Sequence, residues 1–238
     1  MSLKTPDAYP DTRWSLILRL REPLDTPSRE NVMREILGTY WQPLYASLRR
    51  SGLDADSAME EIHDFVLHLA ESDLLARADA SRGRLRSLLW HTLKQYRIDR
   101  HRHRTRAKRG GRVPPLSLDA LQGEEAHLAT LDPALGPEST FDLRWAQAVL
   151  GRAWDRLRSE NTDHAAFAAL APALAASPGV PLATLAEPTG LTPAAASAAL
   201  YRWRRRLHDL VIEEISQTVG TRADLADEVR HFLRLLSG

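Results

Sequence analysis

At 238 residues the chain has room for one large domain or two ordinary ones, each with a core of its own. It holds no cysteine, which excludes a disulfide scaffold and a thiolate metal site, and its opening MSLKTPDAYPDTRW is not a signal region, so a cytoplasmic protein with no membrane partner is expected. The net charge of +1 is the sum of segregated blocks: acidic over 54–80, twelve Lys and Arg against Asp99 over 81–112, acidic over 113–142, four Arg over 201–208, and acidic again over 209–238.

The spacing of apolar residues predicts helices throughout, so the fold class is all-α. A first short helix over 12–21 carries Trp14, Ile17 and Leu18 as anchors, with Thr12 as its cap. A second follows Ser28, with Val32, Ile36, Leu37, Tyr40, Trp41, Leu44, Tyr45 and Leu48 at steps of three and four, and Pro43 kinks or restarts it. Gly52 stops this run, and Asp54 or Asp56 caps a third helix whose buried side is Ala58, Ile62, Phe65, Val66 and Leu69. That assignment leaves Glu60, Glu61, His63 and Asp64 on or near the exposed side.

The next stretch, SRGRLRSLLWHTLKQYRIDRHRHRTRAKRGGR, is the most charged in the chain. Leu85, Leu88, Leu89, Leu93 and Tyr96 give it one apolar face, and a row of cations gives it another. Trp90, His91 and Tyr96 lie among these cations, and rings interleaved with guanidinium groups suit a groove that follows phosphates while unpaired bases stack. A helix ending near Gly110 and Gly111 completes a first helical domain over 1–112.

Residues 113–137 are rich in Pro, Gly and acids without amphipathic period and read as a linker. Its charge suggests that it folds back on the cationic helix as an internal mimic of nucleic acid. A second domain, 138–215, opens with a core stripe of Phe141, Trp145, Val149 and Leu157, then a small-residue helix from Ala166 to Ala176 that Pro172 ends or bends. The segment PLATLAEPTGLTPAAASAALYRWRRRL follows. It reads as a short helix with Leu182, Leu185 and Ala186 inward, a turn at Thr189–Leu191, and a second helix capped by Thr192 with Pro193 at its first position. Ala196, Leu200, Trp203 and Leu207 form the buried stripe of this helix-turn-helix, which is also compatible with an ordinary helical hairpin. A helical extension over 216–238 carries Leu225, Val229, Phe232, Leu233 and Leu236. It packs on its own domain, or else docks an inhibitor or acts as an autoinhibitory cap.

A metal-dependent nuclease built on His91, Asp99, His101 and His103 is disfavoured, because positions 99, 101 and 103 do not share a helix face. No serine-histidine-aspartate order, phosphate loop or zinc-helix motif appears, so neither a catalytic role nor a cofactor or metal is expected.

In this order the stretches TRWSLILRLR, TYWQPLYASLRRSG, SAMEEIHDFVLHL, the basic helix, FDLRWAQAVLGRAWDRL and the helix-turn-helix resemble the extracytoplasmic-function subfamily of the sigma-70 family of bacterial RNA polymerase sigma factors, over about residues 12–215. The resemblance implies two small helical domains, of the region 2 and region 4 types, joined by the acidic linker. It implies core RNA polymerase and promoter DNA as partners, with Glu60, His63 and Asp64 docking on the β′ clamp helices and the second domain on the β flap. Promoter contacts carried over are Arg84, Trp90, His91, Lys94, Tyr96, Arg97, Arg100, His101, Arg104, Lys108 and Arg109 on the basic helix, and Thr192, Ala195, Ser197, Tyr201, Arg202 and Arg205 on the helix-turn-helix.

Two departures stand out. The docking helix has Ser57-Ala58-Met59-Glu60 where relatives carry a more acidic run, which suggests an activating kinase acting on Ser51 or Ser57. The recognition helix leads with Ala194, Ala195, Ser197 and Ala198, and alanine reads little beyond a thymine methyl, so upstream specificity is expected to be relaxed. The alternative to an initiation factor is a stand-alone helix-turn-helix regulator that does not engage polymerase.

Overall fold

The computed structural model describes residues 13–79, 83–103, 124–126, 128–175 and 181–237, and every regular element among them is helical. Helix α1 is Arg13–Arg19, α2 Thr26–Leu37, α3 Trp41–Arg50, α4 Ala55–Glu71 and α5 Leu85–His103. Then come α6 Pro137–Glu160, α7 His164–Leu170, α8 Pro172–Ala175, α9 Leu182–Ala186 with a 3-10 turn at Glu187–Thr189, α10 Pro193–Ser216 and α11 Arg222–Ser237. None is long and apolar enough to cross a membrane.

Local chemistry accounts for most boundaries. Asp25 caps α2 and Asp54 caps α4, each accepting from the amide three residues on, at 2.9 and 2.8 Å. The long run after Ser28 is two helices, interrupted at Gly38–Tyr40. Pro43 lies in the first turn of α3, where its missing amide costs nothing, so the chain restarts just before the proline. In the same way Pro172 opens α8, splitting the small-residue helix in two.

The chain divides into two compact units, residues 1–148 with 216–238, and residues 149–215. This differs from the expected partition at both ends of the second domain. Phe141 and Trp145, read from the sequence as the start of the second core, fall in the first unit, and so does the extension expected to pack on its own domain. The reason is visible in their contacts: Trp145 meets Phe232 of α11 edge-on at 6.3 Å, and Phe141 stacks on Trp90 of α5 at 5.4 Å. Helix α6 serves the first unit with its first half and the second unit with its last.

In the first unit α3 packs on α4, and α2 on α1 and α4. Ile17, Ile36, Tyr40, Leu44, Tyr45, Leu48, Ile62, Phe65, Leu85 and Leu89 are all buried. The second unit has a small core of Leu170, Ala173, Ala186, Ala196 and Leu200, with Leu182, Leu185, Leu191 and Trp203 packed against it.

Candidate nucleic-acid interface

Helix α5 buries Leu85, Leu89 and Leu93 as its apolar spacing predicts, and Leu88 is half-buried. Its cations are distributed less simply. Of the five whose side chains are described, four are paired with acids of the same unit. Arg97 donates to Glu61 at 3.1 Å, and Arg100 lies 2.5 Å from Asp64. Arg84 reaches Glu228 at 3.1 Å and Asp227 at 3.6 Å, while Arg86 donates to Glu228 at 2.9 Å and also pairs with Asp142. Lys94 is exposed and makes no ion pair among the described residues, and His91 is exposed beside it.

The rings are also partly occupied. Trp90 lies against Phe141 on one side and lines a groove on the other. Tyr96 is half-buried between Phe65, at 5.5 Å, and His68, at 5.0 Å. Arg100 donates to its hydroxyl at 3.1 Å, and burial raises the pKa of that hydroxyl above its ordinary value. His101 belongs to the described helix only by its backbone, and Arg104, Lys108 and Arg109 lie outside the described residues.

The groove beside Trp90 has a volume of about 670 Å³. Leu48, Leu53 and Leu93 line it together with the acids Glu60 and Glu61 and the cations Lys94, Arg97 and Arg100. Of the expected docking residues Glu60 lines it, and His63 and Asp64 do not. Glu60 is exposed, Asp64 is tied to Arg100, and the Nε2 of His63 is buried without a hydrogen-bond partner. Ser57 donates its hydroxyl to Asp54 at 2.9 Å, and Ser51 donates to the Ser47 carbonyl at 2.8 Å, so both candidate phosphorylation hydroxyls are engaged.

A second recess of about 670 Å³ lies at the start of α5, lined by Trp14, Arg77, Arg84, Ser87, Leu88 and His91 among others. The cations here are Arg77 and Arg84, and Asp79 lines the recess with them.

The stretch read as a linker is in part pinned to the first unit. Glu124 is buried and receives Arg144 Nε at 2.8 Å, while Glu125 takes both Arg49 Nε and Nη2 at 2.7 Å and the Tyr45 hydroxyl at 2.5 Å. The Arg49 guanidinium holds Glu125 below the usual carboxylate range. These two acids therefore fold back on α3 and α6, in place of the cationic helix that the mimic idea requires. The rest of that stretch up to 123 is outside the described residues.

In the second unit the expected short helix, turn and second helix form with the expected local signals. Gly190 adopts the left-handed conformation at φ 69° that ends the 3-10 turn, and Thr192 Oγ1 accepts from the Ala195 amide at 3.2 Å. Ala196 and Leu200 are buried, and Ala194, Ala195, Ser197, Ala198, Tyr201, Arg202 and Arg205 are exposed, Tyr201 at 67%. Arg206 instead joins Glu160, at 2.7 Å, and Glu213, at 2.9 Å, and Arg204 donates to the Ala173 carbonyl. Two of the four arginines in the run, Arg202 and Arg205, thus make no ion pair among the described residues.

The polar cluster of Arg86, Asp142, Glu228 and His231 was missed from the sequence. Its signal was present: Arg86 sits between Leu85 and Leu89, and Glu228 sits beside Val229 in the apolar stripe of α11. Charges so placed are buried only with partners. Among the described residues no three His, Asp or Glu side chains gather so as to hold a metal ion. No protein-family model, curated protein or solved structure matches this chain.

Proposed function

We propose that the chain is a transcription initiation factor of the sigma type, resembling the extracytoplasmic-function subfamily, which acts in the cytoplasm by directing core RNA polymerase to promoters. The observation that carries this reading is the exposed ridge of α10, where Ser197, Tyr201, Arg202 and Arg205 project from a helix-turn-helix held by the Thr192 cap. Arginine there contacts phosphate, and Tyr201 with Ser197 does most of the base reading. Region 2-like and region 4-like domains joined by an acidic linker are part of this proposal. The exposed Lys94 and His91 and the half-buried ring of Trp90 engage the melted strand, and Glu60 contributes to a docking surface for the polymerase clamp.

Energetics require the polymerase. Each stacked base-pair step is worth about 1.4 kcal/mol, so opening five steps costs about 7. A base stacked on an aromatic ring returns about 1–3 kcal/mol. With Tyr96 already enclosed, Trp90 is the one ring of this pair that still faces a groove, which makes melting by the factor alone unfavourable.

Run-off transcription on duplex and pre-melted templates, with core polymerase from the same source, tests the reading. Initiation on the duplex that needs both components supports it; absence of any complex with core polymerase overturns it. The second reading, a stand-alone regulator, draws support from the pairing of Asp64 with Arg100, which takes one expected docking acid out of service.

A further inference from the structure

Arg84 stands at the mouth of α5 between two carboxylates of unlike character. Glu228 is fully buried and serves Arg84 and Arg86 together, whereas the side chain of Asp227 is 50% exposed and reaches Arg84 Nη2 at 3.6 Å. Both acids come from α11. The same C-terminal segment holds the start of α5 from behind, because the Thr218 carbonyl accepts the Leu85 amide at 3.1 Å and the Trp14 indole N–H at 3.2 Å. Arg84 itself lines the recess that also holds Arg77, Asp79 and His91.

We propose that α11 restrains nucleic-acid binding by the first unit, with Asp227 occupying the solvent-side donor of Arg84 that a phosphate would otherwise take. This rests on the reading of α5 as a nucleic-acid contact. A buried carboxylate shared by two guanidinium groups is costly to displace, so Glu228 fixes the position of Arg84. A half-exposed carboxylate whose contact with Arg84 is long is exchangeable at that arginine with an anion from solution. The division of labour makes Arg84 both pre-positioned and masked. Arg230 also pairs with Asp227, and so holds it on the helix surface after a phosphate has taken its place.

The test is equilibrium binding of a short fluorescein-labelled oligonucleotide, single-stranded and duplex, to the full chain at low ionic strength without polymerase. Asp227→Asn tightens binding about fivefold, the upper range for release of a partly exposed pair. Arg84→Ala weakens binding, and in that background Asp227→Asn changes nothing. Asp224→Asn, the same charge change on the same helix but at a residue bonded to Thr221, shifts affinity by less than about twofold. Equal gains from Asp227→Asn and Asp224→Asn overturn the proposal in favour of bulk charge. So does an Asp227→Asn gain that survives Arg84→Ala, an unchanged affinity for Asp227→Asn, or an Arg84→Ala chain that binds as well as the parent. Because polymerase is absent, these outcomes are independent of run-off transcription: a gain through Arg84 together with no polymerase complex sinks the initiation reading alone.

Discussion

Arg100 and Asp64 lie 2.5 Å apart, although the first sits on the helix assigned to DNA and the second on the helix assigned to a protein partner. With Arg97 on Glu61, the acidic and basic blocks of the first unit partly neutralise each other inside one molecule. A partner that takes Asp64 must leave Arg100 free, and DNA that takes Arg100 must leave Asp64 free.

Neutralising that acid therefore exposes a cation. Asp64→Asn elutes from heparin resin at higher salt than the parent chain, and its duplex-DNA affinity falls more steeply with salt, by about 0.9 in the log–log slope for the one arginine released. Glu60→Gln carries the same net charge but releases no ion-paired arginine among the described residues, and it elutes between the two. Identical elution of both variants refutes the exchange.

Arg86 tests the buried network. It is 7% exposed, lies over the Trp145 ring at 5.0 Å, and answers two carboxylates, one of them fully buried. Arg86→Met leaves Glu228 to Arg84 and Asp142 to His231, takes away the one cation the two acids share, and costs about 3–5 kcal/mol, as removing one partner of a buried pair does. Arg84→Ala leaves Glu228 its contact with Arg86 and costs less than about 1 kcal/mol. Urea unfolding followed by tryptophan fluorescence, where the transition of the first unit moves, distinguishes the two.

His231 makes the same cluster sensitive to acid. Burial and the nearby Arg86 hold its pKa below the ordinary value, with Arg234 adding to the effect and Asp142 and Glu228 opposing it. The folded chain thus binds fewer protons than the unfolded chain, and stability present above about pH 6.5 is lost as pH falls through the folded value. The urea midpoint of the first unit drops between pH 7.5 and pH 5.5, and His231→Gln reduces that drop. An equal drop in the variant assigns it to other groups.

On α10, exposure separates binding from stability. Tyr201→Ala and Arg205→Ala lower affinity for duplex DNA while the unfolding free energy stays within about 0.5 kcal/mol of the parent. Leu200→Ala, in the core of the second unit, costs about 2–5 kcal/mol and lowers affinity only through unfolding. Circular dichroism melts run beside the binding titrations check each variant.

Periodicity and caps carried most of the local reading. Asp54, Thr192 and the spacing from Ala196 to Leu200 were legible because their partners lie within a few residues. What α5 and α11 pack against was not legible, since an amphipathic stripe marks a buried face but does not name its neighbour. Arg86 and Glu228 are 142 positions apart, beyond any local pattern. Phe141 and Trp145 were assigned to the wrong side of the boundary because α6 is one uninterrupted helix that changes units along its length. Among the described side chains the row of cations is less free than it reads, for a related reason: composition counts charges, whereas pairing with Glu61, Asp64, Asp227 and Glu228 cancels those of Arg84, Arg86, Arg97 and Arg100.

The second unit is an insertion, since the chain leaves the first unit near residue 148 and rejoins it near residue 216. On the ribosome this inverts the usual order of maturation. The later segment can finish first, because all of 149–215 emerges before Thr218, Glu228 and Phe232 are available to the earlier one. The nascent chain thus carries Arg84 for a time without Asp227 and Glu228, and Arg86 with Asp142 as its one carboxylate of the pair, until α11 arrives to close the domain that was begun first.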